Sequence, residues 1–233
     1  LPDVTANIQP NASSRIYDDK GRLITTVHAE ENRIPVPITE VPQNLQNAFV
    51  AAEDVRFYEH HGVDPRGILR AVWANVVTRN ATGQGGSTIT QQLARNAFLT
   101  QEQTLKRKLL EVVLALQIEN KYTKKQILEM YMNQIYFGQG CYGIQTASRV
   151  YFGKDVKDLT LPQCAMLAGL PNSPNYYSPF RSLEAAKYRQ GIVLDQMAKY
   201  GYISEADAQA AKKADLHLAK PQASKGTEST ASY

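Results

Sequence analysis

The chain has 233 residues, of which 43% are hydrophobic and 21% charged, and this composition is typical of a globular protein. A net charge of +4 is too small to indicate a nucleic-acid-binding protein, so we expect no nucleic-acid partner. Two cysteines exclude a disulfide scaffold, and four scattered histidines argue against a zinc enzyme. No apolar run reaches the roughly 18 residues that a membrane-spanning helix needs. Because the sequence begins at Leu1 and not at Met, we expect a piece of a longer protein, with its signal or anchor missing.

The first 40 residues predict a polar lead-in followed by a short β-hairpin. Two β-prone runs, 14–17 and 22–27, flank the turn sequence Asp-Asp-Lys-Gly. Prolines at alternate positions keep 34–38 extended. From residue 41 the pattern becomes helical, and we expect one folded domain over 41–218. The Ser/Thr/Lys-rich stretch 219–233 is typical of a linker-like tail.

Apolar residues at helical spacing predict a mainly α fold. The predicted helices cover residues 42–53, 67–78, 87–99, 104–119, 123–136, 146–152, 162–169, 183–200 and 204–213. Thr123 and Ser204 are expected to cap two of them. Three closely spaced glycines, at 138, 140 and 143, interrupt the helical pattern.

The first candidate cluster lies where an apolar helix ends in Glu53 and Asp54, with Phe57 and His60 following. Burial beside Phe49 and Phe57 would raise the pKa of Glu53, as a general base near neutral pH requires. The alternative is a surface pair of carboxylates at a helix end. The chemistry of these residues alone leaves both interpretations open.

The second cluster is a glycine-rich stretch that leads through Gly86 into a helix with Ser87 in its first turn. The free N–H groups of a helix N-terminus attract phosphate. Four polar residues one turn apart can share one face of this helix: Thr88, Gln92, Arg95 and Asn96. The alternative is a capped helix with a polar outer face.

The third cluster places Arg107, Lys108 and Glu111 at helical spacings of three and four. Two cations and a carboxylate could together hold a diphosphate and its divalent metal ion. An exposed salt bridge would explain the same spacing. Seven basic residues fall within 95–125, so an anionic partner would bind there, although the charge alone favours a solvated helix face.

A fourth feature is the strongly apolar predicted helix 67–78, with arginines at both ends. An interfacial helix that dips into lipid headgroups has this pattern. A core helix whose arginines reach out to solvent has it as well.

Four long segments occur in an order that carries a family resemblance: 53–62, 85–96, 107–111 and 127–138. They resemble the ordered motifs of the peptidoglycan glycosyltransferase (transglycosylase) domain of class A penicillin-binding proteins and monofunctional transglycosylases, and 161–171 resembles a later apolar motif. The resemblance implies a lysozyme-like helical lobe with a smaller membrane-facing jaw lobe, at about 66–85. It also implies polymerisation of lipid II into β-1,4-linked glycan strands by inverting transfer. This reaction releases undecaprenyl diphosphate at the outer face of the bacterial cytoplasmic membrane.

The resemblance also assigns roles to individual residues. Glu53 matches the general base, and Glu111 matches a second glutamate that acts near the diphosphate through a divalent cation, Mg²⁺ or Mn²⁺. The residues that match substrate contacts are Asp54, Phe57, His60, Gly86, Ser87, Thr88, Gln92, Arg95, Asn96, Arg107 and Lys108. The donor-side contacts among them form the groove that the inhibitor moenomycin occupies. The family further implies the bacterial membrane surface and the growing glycan strand as partners, and the sequence leaves open whether a transpeptidase domain follows residue 233.

One position departs from the family pattern. Gln103 stands where many relatives carry an arginine, which puts one donor-side charge in doubt unless Lys106 compensates. Two other functions remain as alternatives: a lysozyme-like glycan hydrolase, and a non-catalytic module that binds a membrane surface. A hydrolase does not need the positive charges of Arg95, Arg107 and Lys108. A binding module needs neither Glu53 nor Glu111.

Overall fold

The structure, a computed structural model, describes residues 14–17, 23–27, 33–67, 69, 86–99 and 105–220. Apart from residues 66, 67 and 69, the predicted jaw lobe at 66–85 lies outside the described residues. So do Gln103, the predicted hairpin turn and most of the predicted tail. The two strands, Ser14–Tyr17 (β1) and Leu23–Val27 (β2), pair antiparallel with Ser14 opposite Val27.

The mainly α fold that the sequence predicts is confirmed. Within the described residues, the helices are α1 Gln43–Glu53, α2 Ile89–Phe98, α3 Leu105–Lys121, α4 Lys124–Gln134, α5 Ile144–Phe152, α6 Leu161–Gly169, α7 Leu183–Lys199 and α8 Glu205–Lys213. Short 3-10 turns cover Ile38–Glu40, Val156–Asp158 and Leu170–Asn172. No helix within this part of the chain is long and apolar enough to cross a bilayer.

Side-chain caps set where several helices begin. The predicted caps Thr123 and Ser204 are confirmed, because each side-chain oxygen accepts a hydrogen bond from a backbone N–H in the first turn of its helix. Thr88 does the same for α2, and the side-chain oxygen of Gln91 accepts a bond from the backbone N–H of Thr88, which completes a capping box. α2 therefore begins at Ile89, two residues later than the apolar pattern predicts.

The core is built around α1 and α6, and α7 packs against both, while α2 packs against α3 and α4. The ring of Phe49 on α1 is fully buried. It meets the rings of Tyr131 and Phe137 edge to face, at centroid distances of 5.8 and 6.2 Å. This packing brings the C-terminal end of α1 close to α2, α4 and α7, and Glu53 is the last residue of α1.

Candidate active site

The carboxyl group of Glu53 lies at the centre of the site. Its Oε2 accepts a hydrogen bond of 2.9 Å from Nε2 of Gln92, and Oε1 of Gln92 accepts one of 3.2 Å from the hydroxyl of Tyr131. Oε1 of Glu53 is buried and has no hydrogen-bond partner among the described residues. This oxygen is therefore the one that remains for a ligand.

Burial raises the pKa of Glu53 above its ordinary value of 4.5. The hydrogen bond from Gln92 and the positive charges of Arg189 and Arg95 oppose this effect, while the neighbouring charge of Asp54 adds to it. The raised pKa that the apolar surroundings predict is confirmed. A raised pKa makes the carboxylate a stronger base than an exposed glutamate.

Asp54 links the end of α1 to the start of α2. Both of its carboxylate oxygens lie 2.9 Å from Nε2 of His60, and Oδ2 also accepts a 3.0 Å bond from the backbone N–H of Ile89. The Asp54 side chain is 3% exposed and that of His60 is 8% exposed. These two side chains therefore bond to each other and to the fold, and their predicted contacts with substrate stay predictions.

Thr88 and Gly62 form a second link. The hydroxyl of Thr88 donates a 2.7 Å bond to the carbonyl of Gly62 while its oxygen caps α2, and the side chain is buried. Gly62 has φ +85°, and a Cβ added there would lie 2.9 Å from the carbonyl oxygen of Ala115 on α3. The loop that follows Glu53 is thus held against both α2 and α3.

The cationic cluster lies where the start of α2 meets α3. Nζ of Lys108 donates to Oγ of Ser87 at 2.7 Å and to Oε2 of Glu111 at 3.0 Å, and Nε of Arg107 lies 3.3 Å from Oε1 of Glu111. Glu111 is 1% exposed and Lys108 is 46% exposed. The sequence left open an exposed salt bridge, but the carboxylate is buried, so two cations share one buried anion. The cluster keeps an excess of positive charge on its accessible side.

Phe57 has a packing role. Its side chain is fully buried, and Nζ of Lys124 lies 4.6 Å from the centre of its ring. Lys124 also pairs at 2.7 Å with Glu119, which accepts a 2.6 Å bond from Thr90. The predicted contact between Phe57 and substrate has no support in this structure, because no part of the side chain is accessible. Gly86 and Asn96 are exposed near the two ends of α2, and their predicted contacts stay predictions.

The donor set around Glu111 does not fit a metal ion held by the protein alone. Both carboxylate oxygens already face a cation, and among the described residues no group of three His, Cys, Asp or Glu side chains could hold a metal. The predicted divalent cation therefore stays a prediction, in which a diphosphate and not the protein would supply most of the ligands.

Two residues near Glu53 have no role in the sequence analysis: Arg189 lies outside the motifs, and Tyr131 lies within the segment 127–138 without an assigned role. Arg189 on α7 is 4% exposed, its guanidinium carbon lies 5.9 Å from the ring centre of Tyr177, and its charge acts on Glu53. A charged residue in the buried stripe of α7 is a signal that the sequence offers, since Ala186 and Val193 precede and follow it at helical spacing. Tyr131 gives no such signal, because a tyrosine on an apolar stripe is ordinary core packing.

Comparison with known proteins identifies the family as that of the transglycosylases. Residues 20–198 match its family model, described as "Transglycosylase", and the chain belongs to this family. It is 47% identical over 208 residues to penicillin-binding protein 1F of Bacillus subtilis (strain 168), a match that covers 89% of this chain and 29% of the relative. It is 47% identical over 207 residues to penicillin-binding protein 1A of Escherichia coli (strain K12), covering 88% and 24%.

The chain therefore spans about a quarter of the length of these curated relatives. Among solved structures it matches the 2.6 Å crystal structure of penicillin-binding protein 1A from Haemophilus influenzae, with a TM-score of 0.49 and 26% identity, over 89% of this chain and 21% of that one. The family assignment depends on the sequence matches, and the resemblance that the ordered motifs carry is confirmed by them.

Proposed function

We propose that this chain is a peptidoglycan glycosyltransferase that polymerises lipid II into β-1,4-linked glycan strands. One observation carries the proposal: the buried carboxyl group of Glu53 is bonded to α2, the helix whose start contacts the cationic cluster. This carboxyl group has a raised pKa and one oxygen without a hydrogen-bond partner among the described residues. A base and a diphosphate-binding cluster are the two groups that transfer from a lipid diphosphate needs. Family membership supports the same reaction class.

In the proposed reaction, the 4-hydroxyl of the acceptor lipid II gives its proton to Glu53. The hydroxyl oxygen attacks the anomeric carbon of the growing glycan strand from the face opposite the leaving group, so the configuration inverts. The bond between that carbon and the diphosphate oxygen breaks with its electron pair, and undecaprenyl diphosphate leaves. The raised pKa of Glu53 makes its carboxylate a stronger base than an exposed one.

Arg107 and Lys108 stabilise the negative charge that develops on the departing diphosphate. Glu111 holds both cations in place, because its buried carboxylate bonds to Lys108 and lies 3.3 Å from Arg107. Lys108 also bonds to Ser87, which fixes the cations relative to α2. Arg95, near the end of α2, adds a third positive charge close to Glu53.

The substrate's lipid chain places the proposed reaction at the outer face of the bacterial cytoplasmic membrane. A full-length protein would carry a membrane anchor and a transpeptidase domain in addition to this part. Moenomycin would compete for the donor groove, because it too presents a phosphate linked to a lipid.

Labelled lipid II in detergent, incubated with the chain and resolved by product size, tests the proposal. We expect glycan polymer that disappears when moenomycin is added. Glu53→Gln should lower polymerisation by at least about a hundredfold, since general bases contribute about 10²–10⁴ in rate. Glu184→Gln, an exposed glutamate in the first turn of α7, is the matched control and should keep full activity.

The products also separate the alternatives. Short saccharides released from polymer would indicate a glycan hydrolase, and polymer would contradict it. Binding of lipid II without any turnover, by the chain and by Glu53→Gln equally, would indicate a non-catalytic module and overturn the proposal.

A further inference from the structure

A hydrogen-bond chain runs from the fully buried Tyr131 through Gln92 to Glu53 and connects three helices. The resemblance assigns Gln92 to substrate binding, but it assigns no role to Tyr131. We propose that Tyr131 is a positioning residue: through the side-chain amide of Gln92, it holds Oε2 of Glu53 in place and leaves Oε1 as the oxygen that takes the proton. This inference rests on the proposed function of Glu53 as a base.

The geometry of the amide carries the first step. A glutamine side chain has one acceptor oxygen and one donor NH₂ group. Because the Tyr131 hydroxyl donates to Oε1 of Gln92 at 3.2 Å, the NH₂ group faces Glu53, to which it donates at 2.9 Å. The opposite amide orientation would set the amide oxygen against the carboxylate. Tyr131 therefore favours the orientation that suits an ionised Glu53.

Burial gives the chain its strength. Tyr131 is fully buried, and its ring is fixed edge-on against Phe49 at 5.8 Å. Because the hydroxyl cannot reach water, it donates its hydrogen bond to Oε1 of Gln92. In such surroundings linked hydrogen bonds strengthen one another, most of all when the last acceptor is charged. Loss of the Tyr131 hydroxyl therefore destabilises the ionised carboxylate of Glu53 more than its neutral carboxyl form.

The unpartnered oxygen completes the argument. Oε2 of Glu53 is occupied by Gln92, and Oε1 has no partner within the described part of the chain. A carboxylate that could rotate would present either oxygen to an acceptor hydroxyl. Fixing one oxygen presents the other in a single orientation, and such orientation lowers the barrier to proton transfer.

Other charged groups face Glu53 from the helices around it. Arg95 on α2 and Arg189 on α7 favour the ionised carboxylate, and Asp54 on the same segment disfavours it. None of the three is altered in the test variants. A change in the pH dependence can therefore be attributed to the Tyr131–Gln92 chain.

The test measures polymerisation of labelled lipid II against pH for Tyr131→Phe. We expect the acidic limb of the profile to move to higher pH, with a rate about three- to tenfold below wild type on that limb and closer to wild type at alkaline pH. In parallel, ¹³C NMR of the Glu53 side chain, assigned by its loss in Glu53→Gln, follows the same carboxyl group without substrate. We expect its titration to move in the same direction.

Tyr151→Phe is the matched control. Tyr151 is also fully buried, and Tyr151→Phe also removes a buried hydroxyl, which donates to the carbonyl of Phe137 at 2.8 Å. We expect this variant to lose stability and to keep the wild-type pH profile. A general effect of removing a buried hydroxyl would instead move both profiles alike.

Gln92→Leu tests whether Tyr131 acts through the amide. The acidic limb of the Gln92→Leu profile should also move to higher pH. The double variant with Tyr131→Phe should show the same profile as Gln92→Leu alone. Additive shifts would overturn the proposal, as would wild-type pH and NMR profiles in Tyr131→Phe. If Tyr131→Phe fails to fold, a Gln92→Leu variant with the wild-type pH profile overturns the proposal. Failure of the wild-type chain to make polymer would contradict the proposed function alone, because the NMR titrations test the hydrogen-bond chain independently.

Discussion

Replacing Gly62 by alanine tests how closely the loop after Glu53 must approach α3. Gly62 has φ +85°, and a side chain in this left-handed region costs about 1–2 kcal/mol. The added Cβ would lie 2.9 Å from the carbonyl oxygen of Ala115 and 3.2 Å from Cγ of Glu119. The nearer atom is helix backbone, which cannot move aside cheaply, and overpacking of this kind costs about 1–3 kcal/mol.

Together the two effects predict a loss of about 3 kcal/mol in the free energy of unfolding. For a domain of this size, this corresponds to a melting temperature lower by about 6–12 °C. Gly140→Ala is the matched control, because Gly140 has φ +70° and the described residues place no atom within 4 Å of the added Cβ. Gly140→Ala should show only the cost of the backbone conformation, which lowers the melting temperature by about 2–8 °C.

Thermal unfolding followed by circular dichroism at the helical band measures both variants. Equal losses in Gly62→Ala and Gly140→Ala would refute the close approach to α3 and leave only the backbone effect. Since the carbonyl of Gly62 accepts the bond from Thr88, a shift of this loop would also move the start of α2. We therefore expect Gly62→Ala, and not Gly140→Ala, to lower polymerisation as well.

Three further predictions concern ionisable groups. The raised pKa of Glu53 means that the folded state binds this proton more tightly than the unfolded state, so its contribution to stability falls as pH rises through the folded pKa. Glu53→Gln should therefore melt higher than wild type at alkaline pH, with the difference vanishing under acid; an equal difference at every pH would contradict the burial argument. Arg189→Met removes a cation that favours ionised Glu53, so the acidic limb of the polymerisation profile should move to higher pH. Arg149 is an exposed arginine paired with Asp155, and Arg149→Gln should leave the acidic limb in place. Equal profiles for the two variants would exclude a special role for Arg189. Burial raises the thiol pKa of Cys141 to about 11 and of Cys164 to about 12, so neither should react with a thiol reagent at about pH 8 until the chain is unfolded; rapid reaction of the native protein would contradict their burial.

Local sequence determines the helices and the cationic cluster. Apolar spacing and capping residues depend only on neighbours within one or two turns, so the ends of α1 and the caps at Thr123 and Ser204 could be predicted. Arg107, Lys108 and Glu111 meet because they are three and four residues apart on one helix. The raised pKa of Glu53 follows from the apolar helix that ends in it.

Tertiary structure decides what each of these groups contacts. Gln92 lies 39 residues from both Glu53 and Tyr131 along the chain, and no periodicity predicts that α1, α2 and α4 meet at this point. The sequence alone established that a glutamate, a set of cations and an N-capped helix are present. Only the packing of the helices, which depends on side-chain shapes along whole interfaces, decides that one oxygen of Glu53 is held by Gln92 while the other has no partner among the described residues.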